Sequence, residues 1–294
     1  MSYIPTIVIH IDAENDAKLL WKFLNNPQFP QLRNSNLNVH PKLKESIDKE
    51  NFQEIVSEYV KLFYINRAQE IDLIYKRNKD IVEQNGANAF NELARLMDYT
   101  WEKEITYHAY LSILTGSTFN EDVFTYSILG ELFGKNDIKK SLLSVGIHEI
   151  SHLIFFELLK PIEQKNKITL HPDGKYFLKE AVTTALLNTE TLKSILQTEK
   201  DPGNPEIQKL YISTPQNSSI LFIDYIKEQI IQSKQTNLPF NILLEQLAIN
   251  THFIEKPLNE KRLLWNKNGY AIFKNPLLLS EYEKPIPFIN KYEN

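Results

Sequence analysis

The stretch SLLSVGIHEISHLIFFELLK, from Ser141 to Lys160, is the most informative part of this chain. Its apolar residues fall on almost every side, which predicts a helix buried inside a domain. Residues four apart lie on the same face of a helix, so His148 and His152 can direct two imidazoles at one metal ion. Glu149 then lies beside that metal, where a carboxylate can take a proton from a water that the metal activates.

The flanking residues support a helix. Asn136 and Asp137 offer N-cap side chains before it, and Pro161 is expected to end it. Buried polar side chains need partners, and a divalent metal would provide one for the two histidines and the glutamate. The alternative is chance, because 7 histidines in 294 residues produce this pattern in roughly one such chain in a hundred. Burial of the helix weakens that alternative.

The H-E-x-x-H pattern from His148 to His152, set in an apolar helix, resembles that of the zincin metallopeptidases. The resemblance implies one bound zinc ion per chain, Glu149 as general base, and hydrolysis of a peptide or protein substrate. It covers a short part of the chain, so it indicates the superfamily rather than one family.

A catalytic zinc usually has three protein ligands and a water. The metzincin pattern requires a Gly and a further His, but this chain has Phe155 and Leu158 in those places. Gluzincins instead take a Glu from a second helix, and the segment KYFLKEAVTTALL resembles that helix. The resemblance implies Glu180 as the third ligand, with Ala181 and Ala185 allowing the two helices to pack closely.

Other assignments of the third ligand stay open. Glu180 can be a solvated charge paired with Lys179 on the outer face of its helix. Thermolysin-like enzymes carry an Asp at the place of Thr184 that orients a histidine, and this chain has no carboxylate there. The rival ligands are His171, Asp173, Glu157, Glu163 and Glu190.

The resemblance implies hydrolysis by a metal-activated water, with Glu149 passing a proton to the leaving amine. Gluzincins usually add a downstream Tyr or His that donates to the developing oxyanion. The candidates for that donor are Tyr211, Tyr225, His252 and Tyr270. The alternative functions are a metal-binding regulatory or inactive protease-like protein that acts through one partner protein, and a signalling protease with a single substrate.

Composition excludes several other classes of protein. The net charge is −4 with no long basic run, which disfavours nucleic-acid binding. Cysteine is absent, so disulfides, thiolate ligands and a cysteine nucleophile are excluded, and the cysteine-ligated peptide deformylases are disfavoured. The N-terminus lacks a basic region and no run of about 18 apolar residues occurs, so we expect a cytoplasmic protein without a membrane span. The sequence does not indicate an oligomeric state.

Periodicity predicts the order of the secondary structure. Strands are predicted at Thr6–Asp12, Glu104–Thr115 and Val123–Leu129. Helices are predicted at Asp16–Leu24, Phe52–Arg77, Ala87–Trp101, Gly174–Asn188, Thr189–Thr198, Ser219–Ser233 and Phe240–Asn250. The Asn- and Pro-rich stretch Asn25–Pro41 is predicted to be a loop, Gly116–Asp122 a turn, and the region from Pro161 to Asp173 a polar loop.

The expected fold is α+β and predominantly helical, with a zincin-like catalytic core in which a small sheet precedes the H-E-x-x-H helix. We expect one catalytic unit over residues 1–294, comprising a mostly helical region at 1–100, the core at 101–200 and a helical C-terminal part at 201–294. The break is placed at DPGNP, residues 201–205. In zincins an edge strand lines the substrate cleft, so the resemblance implies that Tyr107–Leu114 or Phe124–Leu129 pairs with substrate; the alternative is that both are ordinary sheet strands.

Overall fold

The computed structural model of the chain is mostly helical with a small mixed sheet, consistent with the α+β class expected from the sequence. It describes residues 3–27, 30–133, 141–199, 201, 203–213 and 219–251, and three short strands between residues 264 and 287. The helices are α1 (Ala13–Asn25), α2 (Pro30–Val39), α3 (Pro41–Lys44), α4 (Phe52–Asn66), α5 (Ala68–Met97), α6 (Leu129–Leu132), α7 (Leu142–Asn166), α8 (Pro172–Leu187), α9 (Glu190–Leu196), α10 (Phe222–Gln235) and α11 (Phe240–Thr251). The strands are β1 (Thr6–Ile11), β2 (Thr106–Ser112), β3 (Phe119–Asn120), β4 (Val123–Ser127), β5 (Tyr211–Ser213), β6 (Ser219–Leu221), β7 (Leu264–Trp265), β8 (Ala271–Phe273) and β9 (Ile286–Pro287).

The chain divides into two compact units. The first comprises Met1–Phe90 and Trp101–Glu149, and the second comprises Asn91–Thr100 and Ile150–Asn294. The first unit contains the sheet β1–β4 with helices α1–α4, and the second contains α8–α11 with the strands β5 and β6. Two of the three divisions fall inside the long helices α5 and α7, and the third lies between Thr100 and Trp101.

The sheet of the first unit has the strand order β1-β2-β4-β3. Strand β2 is parallel to both β1 and β4, and β3 runs antiparallel to β4. The three predicted strands are confirmed as β1, β2 and β4, whereas β3 lies in the stretch predicted to be a turn. Alternate side chains such as Ile7, Ile9, Ala109 and Leu111 are buried on one face, as the period of two requires.

The pairing decides which strands can accept a peptide. Strand β2 is paired on both sides, with β1 along Thr6–Ile11 and with β4 along Val123–Ser127. It has no open edge, so the prediction that Tyr107–Leu114 pairs with substrate is wrong. Residues Val123 and Phe124 of β4 are covered by β3, which forms the edge on that side. Strand β3 precedes β4 in the chain and runs antiparallel to it. It occupies the edge position that the sequence-based prediction assigned to β4.

The prediction of a loop at Asn25–Pro41 is wrong, because α2 occupies most of it. Pro30 begins the helix, where a missing N–H costs nothing. Asn36 is buried and accepts a hydrogen bond from the Thr115 backbone N–H at 3.0 Å. Leu37 is also buried. Tertiary contacts therefore override the weak helical propensity of this Asn-rich segment.

Helix α7 begins later and ends later than predicted. Asn136 and Asp137, the predicted caps, lie outside the described residues. The Ser144 backbone N–H donates to Ser141 Oγ at 3.2 Å, and the Leu142 backbone N–H donates to Asn78 Oδ1 at 2.9 Å. These two bonds satisfy N–H groups that the first turn of a helix leaves without intrahelical partners.

Pro161 does not end α7, which continues to Asn166. A proline inside a helix removes one hydrogen bond and costs about 3 kcal/mol. The neighbouring residues Leu159 and Ile162 are buried, and their burial offsets that cost. The polar loop predicted from Pro161 is therefore shortened to the few residues before Pro172, where α8 begins.

Helix α7 is also long and apolar enough to cross a bilayer by length and composition, although the sequence predicts no such segment. The same criterion is met by the core helices of water-soluble proteins. In its most apolar window, 61% of the residues are buried inside the protein. Ile147, Ile150 and Phe155 all have less than 1% of their surface exposed, as predicted for a helix in a protein core.

Helix α8 is the core helix of the second unit. Its C-terminal two thirds are almost entirely buried, including Ala181 and Ala185, which have no exposed surface. Helix α10 packs against it. The helices predicted at Gly174–Asn188, Thr189–Thr198, Ser219–Ser233 and Phe240–Asn250 are confirmed as α8, α9, α10 and α11, although the first residues of the third form β6.

Candidate metal centre

Three predicted ligands come together on α7 and α8. His148 and His152 lie one turn apart on α7, and Glu180 lies in the middle of α8. One ligand atom from each lies within 4.8 Å of the others. His152 and Glu180 are buried and His148 is half-buried. This group could hold a metal ion.

The distances suit a small divalent cation. With bonds of about 2.0–2.1 Å, two ligands in a tetrahedral site lie roughly 3.3 Å apart. His152 Nε2 lies 3.5 Å from Glu180 Oε1, which is close to that separation. The remaining separations between ligand atoms are no greater than 4.8 Å. Two imidazole nitrogens and one carboxylate oxygen form a donor set that zinc commonly takes in catalytic sites.

A chain of hydrogen bonds orients His152. Its Nδ1 lies 3.0 Å from Thr183 Oγ1, which lies 2.6 Å from Ser151 Oγ. All three side chains are buried. If Nδ1 carries the proton and donates to Thr183, Nε2 keeps its lone pair and faces Glu180. Histidine ligands usually have such a partner on the other ring nitrogen, because it selects the tautomer and fixes the ring.

Glu180 has a cation next to it. The Lys179 ammonium lies 2.8 Å from Glu180 Oε1 and 5.2 Å from the centre of the Tyr176 ring. The Tyr176 hydroxyl is hydrogen-bonded to the Asn204 side chain. Burial, reinforced by the charges of Glu180 and Glu206, raises the pKa of Tyr176 to about 12, so the phenol stays protonated at neutral pH.

Glu149 follows His148 on α7 and is half-buried. Successive residues of a helix point about 100° apart, so its side chain leaves the helix next to, and not along, the face that carries His148 and His152. Glu149 is not one of the three residues of the ligand group. The role of Glu149 as a base stays a prediction of the sequence motif.

The rival ligands lie elsewhere and have other roles. His171 caps α8, where its Nδ1 accepts a hydrogen bond from the Asp173 backbone N–H at 3.3 Å. Glu157 is exposed and accepts from the Tyr99 hydroxyl. Glu163 accepts from the Leu170 backbone N–H and pairs with Lys175. Glu190 pairs with Lys193.

The structure describes two of the four candidate oxyanion donors. Tyr211 is half-buried in β5, and Tyr225 is buried in α10. His252 and Tyr270 lie outside the described residues.

Sequence reasoning missed Thr183, Ser151 and Lys179 as neighbours of the site. Thr184, at the place of the thermolysin-type Asp, is buried, and its hydroxyl has no hydrogen-bond partner among the described residues. Its neighbour Thr183 contacts His152 instead. A threonine pair carries no signal that distinguishes the two positions, so only the packing of α8 against α7 identifies the one that contacts His152.

Comparison with known proteins adds no family assignment. The sequence matches no protein-family model, no curated protein and no solved structure.

Proposed function

We propose that this protein is a zinc-dependent metallopeptidase of the gluzincin type, with His148, His152 and Glu180 as the metal ligands. The convergence of these three side chains carries the proposal, because H-E-x-x-H supplies two of them and Glu180 comes from a separate helix. The order of elements also supports it, since a small sheet precedes the motif helix, as in zincins.

An open coordination position separates a catalytic site from a structural one. The described residues bring together three ligands, not the four of a closed structural site. Glu149 beside them would have no role in a purely structural site. Both observations favour an enzyme over the alternative, a metal-binding regulatory protein that has lost activity and acts through one partner.

In the proposed mechanism, the metal and the residues around it have separate roles. Bound zinc would supply an activated water and would polarise the scissile carbonyl. Glu149 accepts the proton of the attacking water and delivers it to the leaving amine. Thr183 holds the His152 ring with Nε2 towards Glu180, and the hydrogen bond to Ser151 holds Thr183 in turn. The substrate is a peptide or a protein.

The test is zinc content and hydrolysis measured on the same preparations. Wild type is expected to bind about one zinc per chain by elemental analysis, and to cleave members of a broad peptide library. Glu180→Ala should lose zinc and activity. Glu149→Gln should keep zinc and lose hydrolysis, because the amide cannot accept the proton.

The matched control for Glu180→Ala is Glu163→Ala. Glu163 also pairs with a lysine of α8, at 3.0 Å, but lies outside the three-ligand group. This variant should keep both zinc and activity. Hydrolysis by Glu149→Gln at the wild-type rate would rule out the proposed mechanism. Zinc retained by Glu180→Ala would show that the third ligand is another residue.

A further inference from the structure

The Glu180 carboxylate is shared between the proposed metal site and a cation of the chain itself. Its Oε1 lies 3.5 Å from His152 Nε2 and 2.8 Å from the Lys179 ammonium. Only 16% of the Lys179 side chain and 10% of the Glu180 side chain are exposed. A buried carboxylate needs a counter-charge. Lys179 therefore supplies to the metal-free protein the positive charge that a metal would otherwise supply.

Lys179 also has a second partner within reach. Its ammonium lies over the face of Tyr176, 5.2 Å from the ring centre, and the hydroxyl of that ring is held by Asn204. An ammonium over an aromatic face is attracted by the negative face of the ring. The lysine can thus give up the carboxylate and still keep a favourable contact.

We propose that Lys179 is an internal counter-ion that competes with a divalent metal for Glu180 and thereby lowers the metal affinity of the site. The inference rests on the proposed metal site. A metal that shares the Glu180 oxygen would lie close to a buried positive charge, and like charges repel strongly where water is largely excluded. The same lysine keeps the metal-free site folded. The protein would then take up and release its metal reversibly, and its activity would follow the supply of free metal.

Removal of the charge should tighten metal binding. In Lys179→Met, we expect the dissociation constant for Zn²⁺, measured by competition with a chromophoric chelator, to fall about tenfold or more. Lys179→Gln keeps an N–H donor but no charge and should shift in the same direction. Lys179→Arg keeps the charge and should stay within a few-fold of wild type.

The matched control is Lys175→Met. Lys175 lies one turn earlier on α8 and is paired with Glu163 at 3.0 Å, away from the three ligands. This variant removes a lysine and an ion pair from the same helix, so it reproduces the general effect of the substitution. Its zinc affinity should stay within about twofold of wild type.

Thermal unfolding provides a readout that does not depend on activity. Without metal, Lys179→Met leaves the buried carboxylate without its cation, so its Tm should fall by roughly 5 °C. Saturating zinc should reverse this fall in Tm. The rise in Tm on adding zinc should therefore be larger in Lys179→Met than in wild type or in Lys175→Met.

The outcomes separate this inference from the proposed function. Zinc binding by wild type with unchanged or weaker affinity in both Lys179→Met and Lys179→Gln overturns the inference alone. It would mean that Lys179 supports the ligand through its hydrogen bond. Binding by neither wild type nor the variants overturns the metal site and the inference together. Binding by the uncharged variants and not by wild type would support the inference in its strongest form.

Discussion

At the scale of single residues, the orientation of the proposed ligand His152 depends on a hydroxyl that the motif does not contain. His152 Nδ1, Thr183 Oγ1 and Ser151 Oγ form a chain with spacings of 3.0 and 2.6 Å. The chain is buried, so each member depends on the next for its hydrogen bond. This arrangement predicts that Thr183 sets the metal affinity of His152 without touching the metal.

We expect Thr183→Val to raise the dissociation constant for Zn²⁺ about tenfold, because His152 loses the acceptor that selects its tautomer and fixes its ring. Thr183→Ser keeps a hydroxyl at the same position and should restore most of the affinity. The measurement is a zinc titration in competition with a chelator.

Thr184→Val provides the control, since it makes the same change one residue further along α8. The Thr184 hydroxyl has no hydrogen-bond partner among the described residues, so its removal should leave zinc affinity unchanged. It should also leave the free energy of unfolding unchanged or raise it slightly, because an unsatisfied buried hydroxyl is lost. Equal effects of the two valine variants on zinc binding would contradict the role assigned to Thr183.

Glu180 is a candidate metal ligand that was predicted from the sequence alone. The structure places it with His148 and His152, where the gluzincin resemblance put it. The alternative of a solvated Glu180 is wrong, because only 7% of the residue is exposed. The pairing with Lys179 that accompanied that alternative does occur, but in a largely buried setting. The sequence shows that Lys179 is next to Glu180 in the chain. Whether Glu180 is buried depends on how distant elements pack around it.

At the scale of elements, α7 approaches the sheet closely at a glycine. A Cβ added to Gly146 would lie 2.9 Å from Phe124 Cζ and 3.4 Å from Ile7 Cδ1. Phe124 has no exposed surface, so its ring has little room to move. Gly146 therefore sets the spacing between the start of the motif helix and strands β1 and β4.

Gly146→Ala should lower the free energy of unfolding by about 1 kcal/mol. Overpacking costs about 1–3 kcal/mol, which exceeds the gain of up to about 1 kcal/mol in helix propensity. Urea unfolding at 25 °C measures the difference.

The same substitution at Gly86 in α5 is the control. A Cβ there meets only Val82 Cγ1 at 3.7 Å, an ordinary van der Waals contact. Gly86→Ala should therefore raise the free energy of unfolding by about 0.5–1 kcal/mol. A stabilising Gly146→Ala would show that α7 can move away from the sheet without cost.

Most elements were predictable because their signals are local. The alternation in β2 and the helical period in α8 repeat every few residues. Helix α4 shows the limit of this reasoning. The periodicity predicts a helix there, but it does not predict that Leu62 is 49% exposed while Val56 and Val60 are buried. Helix α2 and the continuation of α7 past Pro161 were missed because packing outweighs local propensity there.

At the scale of the whole molecule, a buried carboxylate joins the sheet to two helices of the first unit. Asp16 of α1 accepts hydrogen bonds from the Ile113 backbone N–H at 2.9 Å and from the Ser112 hydroxyl. The Tyr64 hydroxyl lies 2.9 Å from Asp16 Oδ2 and 2.8 Å from the Leu111 carbonyl, and has one proton for these two acceptors. A protonated Asp16 resolves this conflict by donating to the Tyr64 oxygen.

Burial raises the pKa of Asp16 to about 6, against the opposing effect of its hydrogen bonds. The folded state therefore holds this proton more tightly than the unfolded state, where the pKa is near 3.8. The stabilisation from protonation is complete only well below pH 3.8, the unfolded pKa, and is lost as pH rises to and through 6. The free energy of unfolding should fall by about 3 kcal/mol over that range from this group alone.

Asp16→Asn isolates the contribution of this proton, because the amide does not titrate. The stability of wild type relative to Asp16→Asn should fall by about 2.4 kcal/mol between pH 4 and pH 7. Urea unfolding of both proteins at pH 4, 5, 6 and 7 measures it, and the other titrating groups cancel in the difference. If the free energies of unfolding of the two proteins changed equally with pH, the ionisation of Asp16 would cost no free energy in the folded state.

The sequence by itself determined the α+β class, three of the four strands of the main sheet, the long apolar helix and the spacing of His148 and His152. All of these follow from patterns that repeat within a few residues. Only the tertiary structure decided that β2 is a central strand, that Glu180 is buried next to Lys179, and that Thr183 rather than Thr184 supports His152. These features join residues far apart in the chain, so they depend on how helices and strands pack, which no local pattern specifies.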